Sequence, residues 1–274
     1  MMTVNCKGSL VDLSTPKIMG ILNITPDSFF DGGKYKNESD IVSQVEKMLS
    51  EGATFIDIGA YSSRPGAKHI SEEEELQRIL PVVDLLVNKF PEIIISIDTF
   101  RSKVAKETIN AGAAIINDIS AGQMDENMFS TVAKLQVPYI IMHMQGTPQN
   151  MQENPQYENV TTEVIKFFAD QLFKLHQLKV NDVIIDPGFG FGKTLEHNYE
   201  LLKNLSLFKN LDVPILAGIS RKSMLYKPLG ISANKALNAT TSANTIALLN
   251  GANILRVHDV KEAMEAIKIV NQLS

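Results

Sequence analysis

The sequence predicts an α/β protein built as a (β/α)8 barrel, a TIM barrel, and three observations carry that expectation. Short apolar runs rich in β-branched residues recur along the chain. Each is followed by a polar, glycine-containing turn, and each turn leads into a stretch of helical periodicity. The alternation repeats eight times in 274 residues, a usual size for one barrel, so residues 1–274 are expected to form a single domain. A doubly wound open sheet shows the same alternation, so periodicity by itself leaves both architectures standing.

The elements follow in order. The first seventeen residues, with the alternating Leu10-Val11-Asp12-Leu13, predict a small hairpin across the barrel bottom. The apolar runs are Ile18–Leu22, Phe55–Gly59, Ile93–Ile97, Ala113–Asn117, Tyr139–Met142, Val183–Asp186, Pro214–Gly218 and Asn253–Val257. Helical periodicity covers Asp40–Ser50, Ser71–Lys89, Ser102–Ala111, Asn127–Leu135, Thr161–Leu178, Leu195–Leu205, Asn234–Asn250 and Val260–Gln272. Ser71 followed by Glu72 to Glu75 reads as a capped, acidic helix start, and Gly52, Gly112 and Gly251 read as helix stops.

Composition narrows the function. A formal net charge of -5 argues against a basic nucleic-acid surface. Cys6 is the only cysteine, which excludes an internal disulfide and a zinc site of several thiolates. No run of about eighteen apolar residues occurs, and the first twenty residues lack the basic and apolar regions of an export signal. A cytoplasmic protein with no membrane partner is the expectation.

In a parallel barrel the active site forms at the carboxyl ends of the strands, so polar residues that close the apolar runs are the functional candidates. Asn23 closes the first run and opens a Pro/Asp/Gly loop with Phe29 and Phe30; turn chemistry does not explain the two rings, which either fold back on the core or form a lid. After the second run, Ser63 and Arg64 stand on a turn set by Pro65 and Gly66. Asp98 closes the third run, and Asn117 and Asp118 the fourth; helix capping is the alternative role for Asp98. His143 follows the fifth run between Met142 and Met144. A histidine there is more often a packing residue than a catalyst, and the methionines offer soft pocket walls.

The sixth run ends in DPGFGFGK, Asp186 to Lys193. Asp186 is expected at the strand end facing the mouth, while Gly188, Gly190 and Gly192 allow a sharp turn or close approach to a flat ligand. Phe189 and Phe191 need cover, and Lys193 either enters the mouth or caps the next helix. The spacing matches neither a Walker A motif nor a dinucleotide fingerprint, so the glycines do not signal a nucleotide. SRKS, Ser220 to Ser223, follows the seventh run, and Arg256 and His258 share one face of the eighth. A guanidinium and an imidazole beside the last two strands suit a phosphorylated group; the alternative is an ion pair with Asp259 or Glu262. Asp98, Asn117, Asp186 and Lys222 together describe a pocket with two acids, an amide and a cation. Carboxylates accept the paired N–H groups of a guanidine-like edge, so a flat aminopyrimidinone ring fits, with Phe191 as a wall for a second aromatic substrate.

MGILNITPDSFFDGG, SSRPG, SIDT, INDIS, MHMQG, DPGFGFGK, SRKS and RVHDV, in this order from Met19 to Val260, resemble the dihydropteroate synthase family of folate biosynthesis. The resemblance implies a transferase that joins 6-hydroxymethyl-7,8-dihydropterin diphosphate to 4-aminobenzoate and releases diphosphate. It implies that Asp98, Asn117, Asp186 and Lys222 hold the pterin, and that Arg256, His258 and Asn23 hold the diphosphate with Mg2+ at Asn23. It implies further that Ser63, Arg64, Phe191, Lys222 and Ser223 border the aminobenzoate, the target of sulfonamide mimics, and that the chain forms a homodimer. Where many members carry Gly-Glu-Ser-Thr-Arg in the second loop, this chain has GAYSSR, so Tyr61 replaces an acid and Ser63 a threonine. The alternatives are a methyltetrahydrofolate-type methyltransferase, which leaves SRKS, RVHDV and the first loop without a task, and a non-catalytic pterin-binding barrel.

Overall fold

Lys7 and Gly8 take positive φ, 55° and 86°, the backbone a two-residue hairpin turn requires, so β1 (Thr3–Cys6) and β2 (Ser9–Asp12) pair antiparallel as the alternation predicts. The structure, a computed structural model, describes residues 2–24, 38–62 and 69–273. After the hairpin come eight parallel strands: β3 (Lys17–Asn23), β4 (Phe55–Gly59), β5 (Ile95–Asp98), β6 (Ile115–Asp118), β7 (Tyr139–Met142), β8 (Val183–Asp186), β9 (Leu216–Ala217) and β10 (Ile254–Val257). Their order is β8-β7-β6-β5-β4-β3-β10-β9. A parallel bridge between Ile185 and Ile215 brings the two ends together. The sheet is a barrel, and the open-sheet alternative is set aside.

The helices are α1 (Glu38–Ser50), α2 (Glu72–Lys89), α3 (Ser102–Asn110), α4 (Met128–Leu135), α5 (Val160–Gln177), α6 (Leu195–Lys203), α7 (Ser223–Tyr226), α8 (Leu237–Leu249) and α9 (Val260–Val270). Four strands, β5, β6, β9 and β10, are shorter than their apolar runs, and in the first three the flanking backbone is spent elsewhere. The Ile93 N–H bonds back to Phe90, and that of Ala113 to Thr108 at the end of α3. Pro214 has no N–H, and that of Ile215 donates to the Asn253 side chain. The stretch expected as one helix over Asn234–Asn250 divides into a 3-10 turn, Ala233–Lys235, and α8.

Two apolar shells hold the barrel. Outward-facing strand residues such as Ile56, Ile58 and Ile97 pack against Val45, Ile79, Val83 and Phe168 of the helices. Inward-facing Met19, Phe55, Ile115, Ile140, Ile184, Leu216 and Ile254 form a separate inner core, which Val4, Cys6 and Leu13 of the hairpin segment join from below. Burial there, and then Asp182, push the Cys6 thiol up to about 12, so it is a packing residue rather than a nucleophile. Phe55 is fully buried in this inner layer. Phe55→Ala should therefore cost about 3–5 kcal/mol in urea unfolding; a loss below about 1 kcal/mol would show that the inner core does not bear on stability.

Candidate active site

Strand alternation turns every second residue into the barrel, and alternate strands contribute to one layer. Phe55, Ile115, Ile184 and Ile254 lie in the inner core, and two residues further along the same four strands stand Asp57, Asn117, Asp186 and Arg256. A layer of apolar side chains is thus followed by a polar one. Asp98, level with Asn117 in the β5–β6 register, Met142, Asn23 and Gly218 complete the rim on the intervening strands.

The polar groups bind one another. Arg256 donates from Nε to Asp57 Oδ2 at 2.6 Å and from an NH2 group to Asp98 Oδ2 at 2.8 Å. The Asn117 amide donates to the same Asp57 oxygen at 3.1 Å. Burial works against the Arg256 charge, but Asp57 and Asp98 outweigh it and hold the guanidinium pKa above its ordinary range. Burial pushes Asp98 up to about 7, with Arg256 opposing and Asp57 adding to the rise. Asp186 is also raised by burial, against the pull of Lys222. Lys222 is lowered by burial to about 8, with Asp186 opposing.

Asp57 is not among the sequence-derived candidates. It lies inside the run Phe55–Gly59 rather than at its end. Its signal is the layer itself, an acid two residues after Phe55 on an otherwise fully buried strand. The capping role for Asp98 is not observed: Arg101 occupies the N-cap of α3, and Asp98 faces Arg256. The alternative to an anion site, a pairing of Arg256 or His258 with Asp259, is not observed: Arg221 takes Asp259 through two bonds of 2.8 Å. His258 stands one residue past the end of β10, 3.0 Å from the Ser220 hydroxyl. Asp118 is turned from the mouth and accepts from the Tyr139 hydroxyl at 2.6 Å and from Ser120 and Gly122.

The loop after β8 explains DPGFGFGK. Asp186 Oδ1 accepts the Gly188 N–H at 2.8 Å. A Cβ at Gly188 would lie 1.9 Å from the His143 carbonyl oxygen, and one at Gly192 2.5 Å from that of Gln145; both have positive φ. Of the two expected uses, these glycines serve the sharp turn, with backbone-to-backbone approach, rather than close approach to a flat ligand; Gly190 borders only the Lys222 chain. Lys193 neither enters the mouth nor caps a helix. It is buried, with Nζ 2.9 Å from His143 Nδ1 and donating to the carbonyls of His143, Gly188 and Phe191. Thr194 caps α6 instead. Burial, and then Lys193, lower His143 to about 2, so its imidazole packs as a neutral ring against Phe167.

Phe189 is fully buried, whereas Phe191 leans on a cluster of Phe100, Ile119, Met142, Met144 and Met151 at the mouth. Lys222 Nζ sits 4.6 Å from the centre of the Phe191 ring and donates to the Phe189 carbonyl. Gly218 leaves the space between Asp186 and Lys222 open. Ser223 begins α7, beside Lys222. Asn23 Oδ1 and Asp98 Oδ2 border the same small space over Gly59. Ser63 and Arg64, with Phe29 and Phe30, lie outside the described residues.

Residues 19–258 match the model of a family described as pterin binding enzymes. Dihydropteroate synthase of Escherichia coli strain K12 is 44% identical over 98% of this chain and 95% of its own. The Haemophilus influenzae dihydropteroate synthase is 45% identical over 98% of each. Among solved structures, Yersinia pestis dihydropteroate synthase in a sulfonamide drug complex superposes with a TM-score of 0.95 at 43% identity, covering 99% of both chains. Xanthomonas albilineans dihydropteroate synthase with 7,8-dihydropteroate gives 0.86 at 33%, over 99% of this chain and 98% of that one.

Gly188→Ala should displace the loop, because its Cβ cannot coexist with the His143 carbonyl. The expected result is a loss of pterin binding in calorimetry together with a lowered unfolding midpoint; unchanged binding would remove the loop's positioning role.

Proposed function

The chain belongs to the pterin-binding enzyme family, with dihydropteroate synthases as relatives along nearly its whole length, and from that premise we propose how its residues divide the reaction. The function is condensation of 6-hydroxymethyl-7,8-dihydropterin diphosphate with 4-aminobenzoate to 7,8-dihydropteroate and diphosphate, a pterinylmethyl transfer. The full-length likeness to these synthases leaves the methyltransferase alternative without support. One observation carries the assignment of residues: acceptors and cations from strands far apart in sequence meet in one ring at the barrel mouth.

In this reading Asp98 and Asp186 accept the N–H groups of the pterin, Asn117 adds its carbonyl oxygen, and Lys222 binds a ring acceptor. Arg256 is tied to Asp98, so a pterin edge that takes over Asp98 releases one guanidinium NH2 group toward the diphosphate, where His258 joins it. As the C–O bond breaks, its electron pair leaves with the diphosphate, and positive charge develops on the pterin methylene. The nearby carboxylates stabilise that charge. The neutral amine of 4-aminobenzoate, stacked by Phe191 beside Ser223, with Ser63 and Arg64 assigned to the same substrate by the family resemblance, attacks the carbon and loses a proton. Met142 walls the pterin side.

Asn23 offers a hard amide oxygen next to the space shared with Asp98. That donor suits Mg2+, which takes few protein ligands and completes its shell with water and phosphate oxygens. When bound, Mg2+ would neutralise diphosphate charge.

The same proposal treats residues 1–274 as one domain, cytoplasmic and homodimeric. No described helix is long and apolar enough to cross a membrane. Exposed Ile246 and Leu249 on α8 offer apolar surface to a second copy, which sedimentation would detect.

Lys222→Ala or Asp186→Asn should leave folding largely intact and lower product formation by a factor on the order of a hundred or more, read as dihydropteroate and released diphosphate. Normal turnover by either variant would contradict the assignment. The kcat/KM for the pterin diphosphate should rise with pH through about 7, where Asp98 loses its proton and becomes a full acceptor, and fall above about 8, where Lys222 loses its charge. Asp98→Asn should lack the acid limb at a lowered rate; an unchanged acid limb would exclude Asp98 as its source.

A further inference from the structure

Three members of the polar layer, Asn117, Asp186 and Arg256, have substrate roles in the reading above. The fourth does not. Asp57 is 0% exposed, so it lies beneath the mouth and out of reach of a bound ring. We propose that Asp57 is a positioning residue that sets the orientation of both Arg256 and Asn117 from below, an inference that rests on the substrate-binding roles proposed for those two.

The geometry makes the argument. A single oxygen, Asp57 Oδ2, accepts Arg256 Nε at 2.6 Å and Asn117 Nδ2 at 3.1 Å. The first bond fixes the guanidinium fork: with Nε turned down to Asp57, an NH2 group is presented to Asp98. The second fixes the amide. An oxygen already accepting from a guanidinium can face only the NH2 side of Asn117, so the Asn117 carbonyl oxygen is the atom left to accept from a ring N–H. Asp57 thus decides that the layer meets the pterin with acceptors.

A purely structural role explains the residue poorly. The layer below is made of Phe55, Ile115, Ile184 and Ile254, and apolar side chains of similar volume often serve as well as a buried ion pair, or better. Asp57 Oδ1, moreover, has no hydrogen-bond partner among the described residues. The acid is therefore retained at a cost in desolvation, and both bonds it makes go to groups that face the substrate.

The test is a double-mutant cycle. Asp57→Asn keeps the shape and removes the charge that holds Arg256. It should lower kcat/KM for the pterin diphosphate on the order of 10- to 100-fold, the range found when the support of a ligating group is lost, while the KM for 4-aminobenzoate stays within about twofold. In an Arg256→Gln background the same change, which leaves an amide oxygen able to accept from Asn117, should cost no more than about threefold further. Equal losses in both backgrounds would reduce Asp57 to packing and overturn the inference. If Asp57→Asn alone does not fold, Asp57→Asn with Arg256→Gln decides, because no guanidinium is left to orient. That protein should fold with the activity of Arg256→Gln, and misfolding or a further large loss would overturn the inference. Full activity in Arg256→Gln would instead remove the proposed use of Arg256, and this inference with it, so the two failures are distinguishable.

Discussion

The site depends on one guanidinium shared between two carboxylates. Arg256 lies between Asp57, from the second barrel strand, and Asp98, from the third. Charges held inside a barrel lose most of their hydration, and such a group persists only where good geometry and further hydrogen bonds compensate it. Here the compensation is mutual. Arg256 neutralises Asp57 and partly offsets the burial of Asp98, Asp57 also binds Asn117, and Lys222 opposes the burial of Asp186. No member can be removed without leaving another charge poorly paired, which couples substrate recognition to the integrity of the whole ring.

A second constraint sets where that ring stops. The loop after β8 is built as a scaffold: Lys193 collects the carbonyls of His143, Gly188 and Phe191, and Tyr157 and Gln152 bond the carbonyls of Gly192 and Gly190. Glycine is needed at 188 and 192 because two backbone segments touch there. The outcome is functional. Phe191 is held over Lys222, and Asp186 is held by the Gly188 N–H, so a flat apolar wall, a cation and a carboxylate stand close together at the mouth.

A third layer of organisation lies toward the second loop. Glu75 is fully buried and bonds Arg101 and the Thr99 hydroxyl, while Arg101 also donates to the carbonyls of Ser71 and Ile70. Tyr61 meets Phe100 edge-on with ring centres 5.0 Å apart, and its hydroxyl pairs with His69 and Gln149. An aromatic residue is thus accommodated at the start of the second loop. The contacts tie the ends of the second loop to the loops after β5 and β7.

The βα alternation in the sequence predicts a barrel without excluding an open sheet, and it marks most of the rim; closure is seen only in the structure. Polar residues in and just after the apolar runs mark Asp98, Asn117, Asp186 and Arg256 at or near the carboxyl ends of their strands, because period-two alternation and the βα repeat are local properties of the chain. Tertiary structure alone decided how those groups pair. Asp57 was hidden within a run because a buried acid is recognised only when the strands on either side supply its partners, Asn117 sixty residues away and Arg256 nearly two hundred. Gly188 and Lys193 read in sequence as candidates for the ligand side, but the His143 carbonyl just past β7 packs against both. The division has a physical cause: hydrophobic periodicity is written in neighbouring residues, whereas the partner of a buried charge is chosen by barrel closure, which brings together residues that no local pattern relates.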